Sequence, residues 1–258
     1  MRIGIRDGCL RMDWLEAFAA GAEIGFDGIE LDIGAGYRDT PLWKGGPDAV
    51  REMLRSTGGG LLSFCAGACW QISPASPDAS VRDEIRTLLS DLCGYASELE
   101  APVILVPVTP GGDDVSPEDG TNRWIEEMTA LAPVAADTGV VLALENVGRG
   151  YGKSAGDLMR LVDAVSSPAV QVYYDIGNAT AFGHDPAEEV HALGSRIAAV
   201  HIKDRDGELL GQGVVKIAES VKALQDIGYR GDLVLETPPT DDPRAAAAHN
   251  LSYLRALL

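Results

Sequence analysis

The stretch Val140–Asn146, VVLALEN, is an apolar run of strand length that stops at a carboxylate, and three later stretches follow the same plan. They are VQVYYDIGN at residues 170–178, IAAVHIKD at 197–204 and DLVLETP at 232–238. Near-continuous apolar runs are typical of parallel strands that are covered by helices on both sides. Each of the four runs ends at a side chain that can bind a metal: Glu145, Asp175, His201 and Glu236.

This alternation of strand and helix patterns extends along all 258 residues. Strands are predicted near residues 2–6, 28–33, 61–66, 103–108, 140–145, 170–175, 197–202 and 232–236. Amphipathic helices are predicted between them, at 14–24, 48–56, 80–99, 117–137, 154–165, 186–193, 215–227 and 243–257. Eight alternations without a composition shift predict an α/β fold, a single (β/α)8 TIM barrel spanning residues 1–258 as one domain. A doubly wound open sheet is the alternative, but no glycine-rich dinucleotide turn follows the first strand.

The four polar strand ends predict a metal site. The carboxyl ends of barrel strands meet at one mouth, which is the usual active-site face. Burying a carboxylate there without a cation is costly. For one carboxylate, a salt bridge to Arg149, Lys203 or Arg205 would be sufficient, but four candidate ligands favour a metal. Three carboxylates and an imidazole suit a divalent cation, with Mn²⁺ as the expected ion and Co²⁺, Mg²⁺ or Zn²⁺ as alternatives.

Several neighbouring side chains are candidates for substrate binding. Asn178 either bonds a substrate hydroxyl or caps the turn after Asp175, and Lys203 either holds a substrate oxygen or neutralises Glu145. Trp70 follows the third predicted strand and is placed to stack on a sugar ring. Two further expectations are structural: Glu30 pairs with Arg6 on the neighbouring strand, and Trp124 lies in a helix core.

The composition limits the classes of partner. The formal net charge is −18, and binding to a nucleic-acid backbone or an anionic lipid surface needs clustered Lys and Arg. The longest apolar stretches, such as LLSFCAGAC, are far shorter than the roughly 20 residues of a membrane helix. Four cysteines without zinc-ribbon spacing, and a first segment without a signal-peptide pattern, predict a cytoplasmic protein with no disulfide framework.

The chain resembles the xylose-isomerase-like TIM-barrel superfamily of sugar isomerases and epimerases. The matching segments run from GFDGIEL at residues 25–31 through LEN, YDIGN and HIKD to LET at 235–237. Within the superfamily the chain is most similar in mechanism to ketose 3-epimerases such as D-tagatose 3-epimerase. The resemblance implies a divalent metal on Glu145, Asp175, His201 and Glu236, proton transfer by Glu145 and Glu236, and a substrate contact by Arg205.

The implied activity is a metal-dependent isomerase or epimerase acting on a keto-sugar or polyol. A metal would stabilise an enediolate while the two glutamates act as acid and base. Asn178 stands where the epimerases carry a histidine, and Val147–Tyr151 lacks their further glutamate, which leaves the substrate open. A lyase or dehydratase acting on a keto-sugar or inosose is the alternative.

Two other functions are less consistent with these residues. An endonuclease IV-like nuclease would need additional histidines, and a non-catalytic sugar-binding protein would not need a complete ligand set. Homo-oligomers are common among similar proteins, so a homo-oligomer remains open.

Overall fold

Eight parallel strands close into a barrel in which each strand pairs with the next along the chain and the last pairs with the first. The computed structural model describes residues 1–238 and 240–258. The strands are β1 (Ile3–Arg6), β2 (Gly28–Asp32), β3 (Leu61–Cys65), β4 (Val103–Pro107), β5 (Val141–Glu145), β6 (Val170–Asp175), β7 (Ile197–Ile202) and β8 (Asp232–Leu235). The predicted (β/α)8 barrel is therefore confirmed, and the open doubly wound sheet is excluded.

Helices surround the barrel. They are α1 (Trp14–Ile24), α2 (Pro41–Thr57), α3 (Ala79–Glu98), α4 (Pro117–Thr138), α5 (Ala155–Val165), α6 (Ile176–Ala181), α7 (Pro186–Leu193), α8 (Ile217–Asp226) and α9 (Pro243–Arg255). Short 3₁₀ turns lie at Asp7–Cys9, Tyr37–Asp39, Gly67–Trp70 and Gly194–Arg196.

Local signals explain where many of these helices begin and end. Ser116 accepts a hydrogen bond from the Asp119 amide at the start of α4, and Pro117 occupies its first turn. Gly139 ends the same helix at a φ of 69°, a left-handed conformation that glycine adopts without strain. Such caps determine where each helix ends and the chain turns into the next strand.

Two helices differ from the prediction. α2 begins at Pro41 rather than near residue 48, because Thr40 caps it and a kink at Gly46 joins two helical pieces. α6 was predicted as a turn, and it is a six-residue helix that starts directly after Asp175. Six residues are too few for a hydrophobic period to be recognised. The start of the helix does carry an ordinary capping signal, because the Asp175 side chain accepts a hydrogen bond from the Asn178 amide.

The core has two layers. A large apolar layer fills the space between strands and helices, and Trp124 is fully buried in it, as predicted, with Nε1 donating to the Thr109 carbonyl. A small apolar cluster fills the barrel interior and consists of Cys65, Leu105, Ala143, Tyr173, Ala199 and Val234. Buried polar side chains lie at or near the carboxyl ends of β5, β6 and β7: Glu145, Asp175 and His201.

Two arginines, Arg2 just before β1 and Arg6 at its end, link β1 to the region of β8. Arg2 makes two hydrogen bonds to Asp232 at 2.9 and 2.7 Å, and Arg6 donates to Glu236 at 2.5 Å. All four cysteines are buried and free, as expected. Within the part of the chain that is described, no helix combines the length and apolar character needed to cross a membrane.

Candidate metal centre

Four side chains from consecutive strand ends converge in the barrel mouth. Glu145 ends β5, Asp175 ends β6, His201 lies in β7 and Glu236 follows β8. One potential ligand atom from each residue lies within 4.8 Å of the ligand atoms of the other three. Glu145, Asp175 and His201 are buried, whereas the Glu236 side chain is 18% exposed. The convergence expected from the strand ends is thus present.

His201 is central to this cluster. Its Nδ1 lies 3.0 Å from Glu145 Oε1, 3.5 Å from Glu236 Oε2 and 3.9 Å from Asp175 Oδ2. Its Nε2 points the other way and lies 2.7 Å from Glu30 Oε1. Nδ1 is therefore the ring nitrogen available to a metal.

Glu30 has a different role from the one predicted. It pairs with His201 rather than with Arg6, and its Oε2 also accepts hydrogen bonds from Ser63 at 2.7 Å and Tyr173 at 2.8 Å. The prediction was wrong because Arg6 is turned toward Glu236 and Asp32 at the mouth, while Glu30 points into the interior. The available signal was a carboxylate between two apolar residues, Ile29 and Leu31, in the middle of the strand.

Asp175 is held in place by Asn146, just after β5, and by Asn178 in α6. The Asn146 amide bonds both backbone groups of Asp175, at 2.9 and 2.8 Å, and Asn178 Nδ2 donates to the Asn146 carbonyl at 2.8 Å. Asp175 Oδ1 caps α6, which leaves Oδ2 directed at the cluster. Sequence reasoning assigned no role to Asn146, although Asn146 directly follows the predicted ligand Glu145.

Two cations hold Glu236. Arg6 Nη1 donates to Oε1 at 2.5 Å, and Lys203 Nζ donates to Oε2 at 2.6 Å. Lys203 also lies 2.6 Å from Asp175 Oδ2. Lys203 thus contacts Asp175 and Glu236, and Glu145 instead contacts His201.

The surroundings shift the pKa values of Glu145 and Glu236 in opposite directions. Burial raises the pKa of Glu145 to about 7, and the neighbouring His201 only partly offsets it. Burial would also raise the pKa of Glu236, but His201, Lys203 and Arg6 outweigh it and hold that pKa below its ordinary value. Burial opposes a charged imidazole, yet Glu30 and Glu236 raise the pKa of His201 well above its ordinary value.

A cavity of about 470 Å³ opens above the cluster. It is lined by Glu236 and by three of the predicted substrate-binding residues, Asn178, Lys203 and Arg205. Trp70 is not one of its lining residues. Trp70 is 45% exposed, and the Arg149 guanidinium lies 5.8 Å from the centre of its ring. Contact between Trp70 and a substrate stays a prediction.

Asp204 organises the loop that carries Arg205. Its buried carboxylate accepts backbone hydrogen bonds from Arg205 at 2.9 Å, Gly213 at 3.1 Å and Val215 at 3.1 Å. The loop after β7 is therefore folded around one side chain.

A family comparison decides the classification. Residues 18–257 match the family model described as the xylose isomerase-like TIM barrel. The chain belongs to this family. This xylose isomerase-like barrel is 29% identical over 256 residues to SgbU of Escherichia coli K12, provisionally named an L-ribulose-5-phosphate 3-epimerase, covering 91% of this chain and 88% of SgbU.

Two further similarities extend this result. The L-ribulose-5-phosphate 3-epimerase UlaE of E. coli K12 / DH10B is 25% identical over 259 residues, covering 94% of this chain and 89% of UlaE. The D-allulose 3-epimerase of Methylomonas sp. in complex with D-allulose superimposes with a TM-score of 0.86 at 21% identity, covering 100% and 97% of the two chains. At that identity the structural likeness concerns the fold of this xylose isomerase-like barrel.

Proposed function

We propose that this protein is a divalent-metal-dependent 3-epimerase of a keto-sugar, with Glu145 and Glu236 as its proton-transfer groups. The convergence of four donor atoms within 4.8 Å carries the proposal. The relatives named as L-ribulose-5-phosphate 3-epimerases support a ketose substrate that is inverted next to its carbonyl.

The residues present fit a divalent ion. Three carboxylates and one imidazole suit Mn²⁺, with Co²⁺, Mg²⁺ or Zn²⁺ as alternatives. The bond from His201 Nε2 to Glu30 leaves Nδ1 facing the cluster, as in metal sites where a carboxylate orients the histidine. Asp175 Oδ2 is buried and, despite the nearby Lys203, has no hydrogen-bond partner of suitable geometry among the described residues. A metal would satisfy that oxygen.

A bound ion would polarise the substrate carbonyl and acidify the adjacent C–H. The two glutamates then remove and return the proton through an enediolate of the sugar. Glu145, with its pKa raised to about 7, is suited to exchange a proton near neutral pH. Glu236 is held ionised by Arg6 and, in the absence of a metal, also by Lys203, so it can accept a proton. β5 and β8 lie three positions apart around the barrel, which supports approach from two sides of the sugar.

The cavity residues would hold the rest of the substrate. The Arg205 side chain has no ion-pair or hydrogen-bond partner among the described residues and lines the cavity, so we assign it to a substrate oxygen. Asn178 and Lys203 line the same cavity and would contact neighbouring hydroxyls. Trp70 does not line this cavity, and its contact with a substrate stays a prediction.

The test is proton exchange with solvent. The protein, loaded with Mn²⁺ in D₂O, is incubated with L-ribulose 5-phosphate, L-ribulose, D-allulose and D-tagatose, and products are followed by NMR. We expect inversion at C3 with deuterium incorporated at that carbon. Glu145→Gln and Glu236→Gln should each reduce turnover by roughly 10²–10⁴-fold. Glu208→Gln, an exposed site in the loop after β7, is the control.

Three results would contradict the proposal. Loss of water instead of inversion would indicate a lyase or dehydratase. Full turnover by both glutamine variants would show that Glu145 and Glu236 are not the proton-transfer groups. Unchanged inversion by chelated protein, shown by metal analysis to be metal-free, would contradict the metal dependence.

A further inference from the structure

Lys203 contacts the same oxygens that a metal would need. Its Nζ lies 2.6 Å from Asp175 Oδ2 and 2.6 Å from Glu236 Oε2. The second oxygen of each carboxylate is already engaged, since Asp175 Oδ1 accepts from the Asn178 amide at 2.8 Å and Glu236 Oε1 accepts from Arg6 at 2.5 Å. Each carboxylate therefore offers one oxygen to the centre.

Those two oxygens are also the ones directed at the histidine. Asp175 Oδ2 and Glu236 Oε2 lie 3.9 and 3.5 Å from His201 Nδ1, the nitrogen available to a metal. An ion bound by His201, Asp175 and Glu236 would thus lie beside the Lys203 ammonium. Two cations that share two oxygens repel each other strongly in a buried site.

We propose that Lys203 is an internal cation that competes with the divalent metal for Asp175 Oδ2 and Glu236 Oε2, and that metal binding displaces its ammonium into the cavity. This inference rests on the metal site of the proposed function. Lysine is suited to the exchange because its ammonium is a compact charge on a flexible stem.

The surrounding structure gives the lysine room to move. Lys203 lines the cavity and its side chain is 19% exposed, so an outward path exists. Its stem passes directly over Gly177, where a Cβ would overlap the lysine Cγ. The displaced ammonium would join Arg205 at the cavity wall, which would place two cations where a substrate oxygen binds.

The Lys203 ammonium stabilises the metal-free protein but weakens metal binding. Without a metal, the lysine compensates Asp175, which is fully buried, and Glu236. Removing one partner of a buried ion pair leaves the other charge uncompensated. Loss of the ammonium should therefore lower the stability of the metal-free protein and strengthen metal binding.

The experiment compares Lys203→Met with the wild-type protein after chelator treatment. Mn²⁺ affinity is measured by calorimetric titration, and the melting temperature is measured without metal. We expect Lys203→Met to bind Mn²⁺ at least about tenfold more tightly and to melt roughly 5 °C or more lower without metal. Lys216→Met is the matched control, because Lys216 pairs with Asp185 at 2.8 Å on the exposed surface and should change neither value.

A second variant keeps the charge. Gly177→Ala crowds the lysine stem and should also strengthen Mn²⁺ binding, even if Lys203→Met folds poorly without metal. Equal or weaker Mn²⁺ binding by both variants would overturn the inference while leaving the metal site intact. Failure of the wild-type protein to bind Mn²⁺ would overturn this inference and the proposed function together.

Discussion

His201 Nε2 lies 2.7 Å from Glu30 Oε1, and both side chains are fully buried inside the barrel. Glu30 accepts a hydrogen bond from the Nε2–H group, and this contact leaves Nδ1 facing Glu145, Asp175 and Glu236. A residue in β2 thereby orients His201, the candidate ligand in β7.

Removing the charge of Glu30 should weaken metal binding. We expect Glu30→Gln to lower Mn²⁺ affinity by about 10–100-fold, the usual effect of losing the partner of a ligating histidine. Tyr173→Phe removes one hydrogen bond to Glu30 and should have a smaller effect in the same direction. Isothermal titration measures both affinities. An unchanged affinity in Glu30→Gln would show that the histidine is oriented by other contacts.

Changing the loop anchor Asp204 should affect substrate binding more than chemistry. Asp204→Asn replaces an acceptor oxygen that faces Gly213 or Val215 with a donor, so the loop carrying Arg205 loses part of its support. We expect KM to rise by about tenfold with kcat nearly unchanged, because a charged hydrogen bond contributes roughly 1.5–3 kcal/mol. Steady-state kinetics with the accepted ketose measures the split. A fall in kcat with an unchanged KM would contradict this role.

Asn146 should contribute to stability through Asp175. Its buried amide satisfies both backbone groups of that residue, and Asn146→Ala leaves them unpaired. We expect a loss of about 2–4 kcal/mol in the free energy of unfolding, measured with urea. Asn178→Ala removes a single, partly exposed hydrogen bond and should cost less. Equal losses would indicate that burial of the amide is unimportant.

The stability should depend on pH through Asp7. Burial and the neighbouring Asp32 carboxylate raise the pKa of Asp7 from 3.8 to about 6. Below about pH 4, Asp7 is protonated whether folded or unfolded, so it adds no penalty. As the pH rises from about 4 to about 6, the unfolded chain ionises first and the fold loses up to about 3 kcal/mol. Above that range the loss is constant.

Asp7→Asn removes this titration. The variant should therefore gain stability relative to wild type as the pH rises. Its free energy of unfolding minus that of wild type should be larger at pH 7 than at pH 4. Urea unfolding at both pH values measures the difference, and any constant effect of the substitution cancels. Asp13→Asn, on the exposed cap of α1, tests whether a nearby aspartate gives the same trend. A difference independent of pH would contradict the raised pKa.

The sequence predicted the barrel and its polar strand ends because both follow from local pattern. Apolar runs such as VVLALE and their terminal acids are visible along the chain, and topology brings neighbouring strand ends together. The pairings of Arg6 and Lys203 were not predictable in this way. They depend on side-chain direction across strands far apart in sequence, where several acids compete for each cation.

Glu30 shows the same limit. Its strand and its burial follow from pattern, but the choice between Arg6 and His201 depends on whether it points into the barrel interior or toward the mouth. The short helix α6 shows a different limit, since six residues carry too little periodicity to be distinguished from a turn.

The pairing of Arg6 with Glu236 joins residues 230 positions apart, and Arg2 with Asp232 does the same at the opposite end of the strands. During synthesis β1 leaves the ribosome long before its partner β8 is made. Glu236 therefore cannot be held in place until the barrel closes. Loading of metal would then belong to a late stage of maturation, after translation of the last strand.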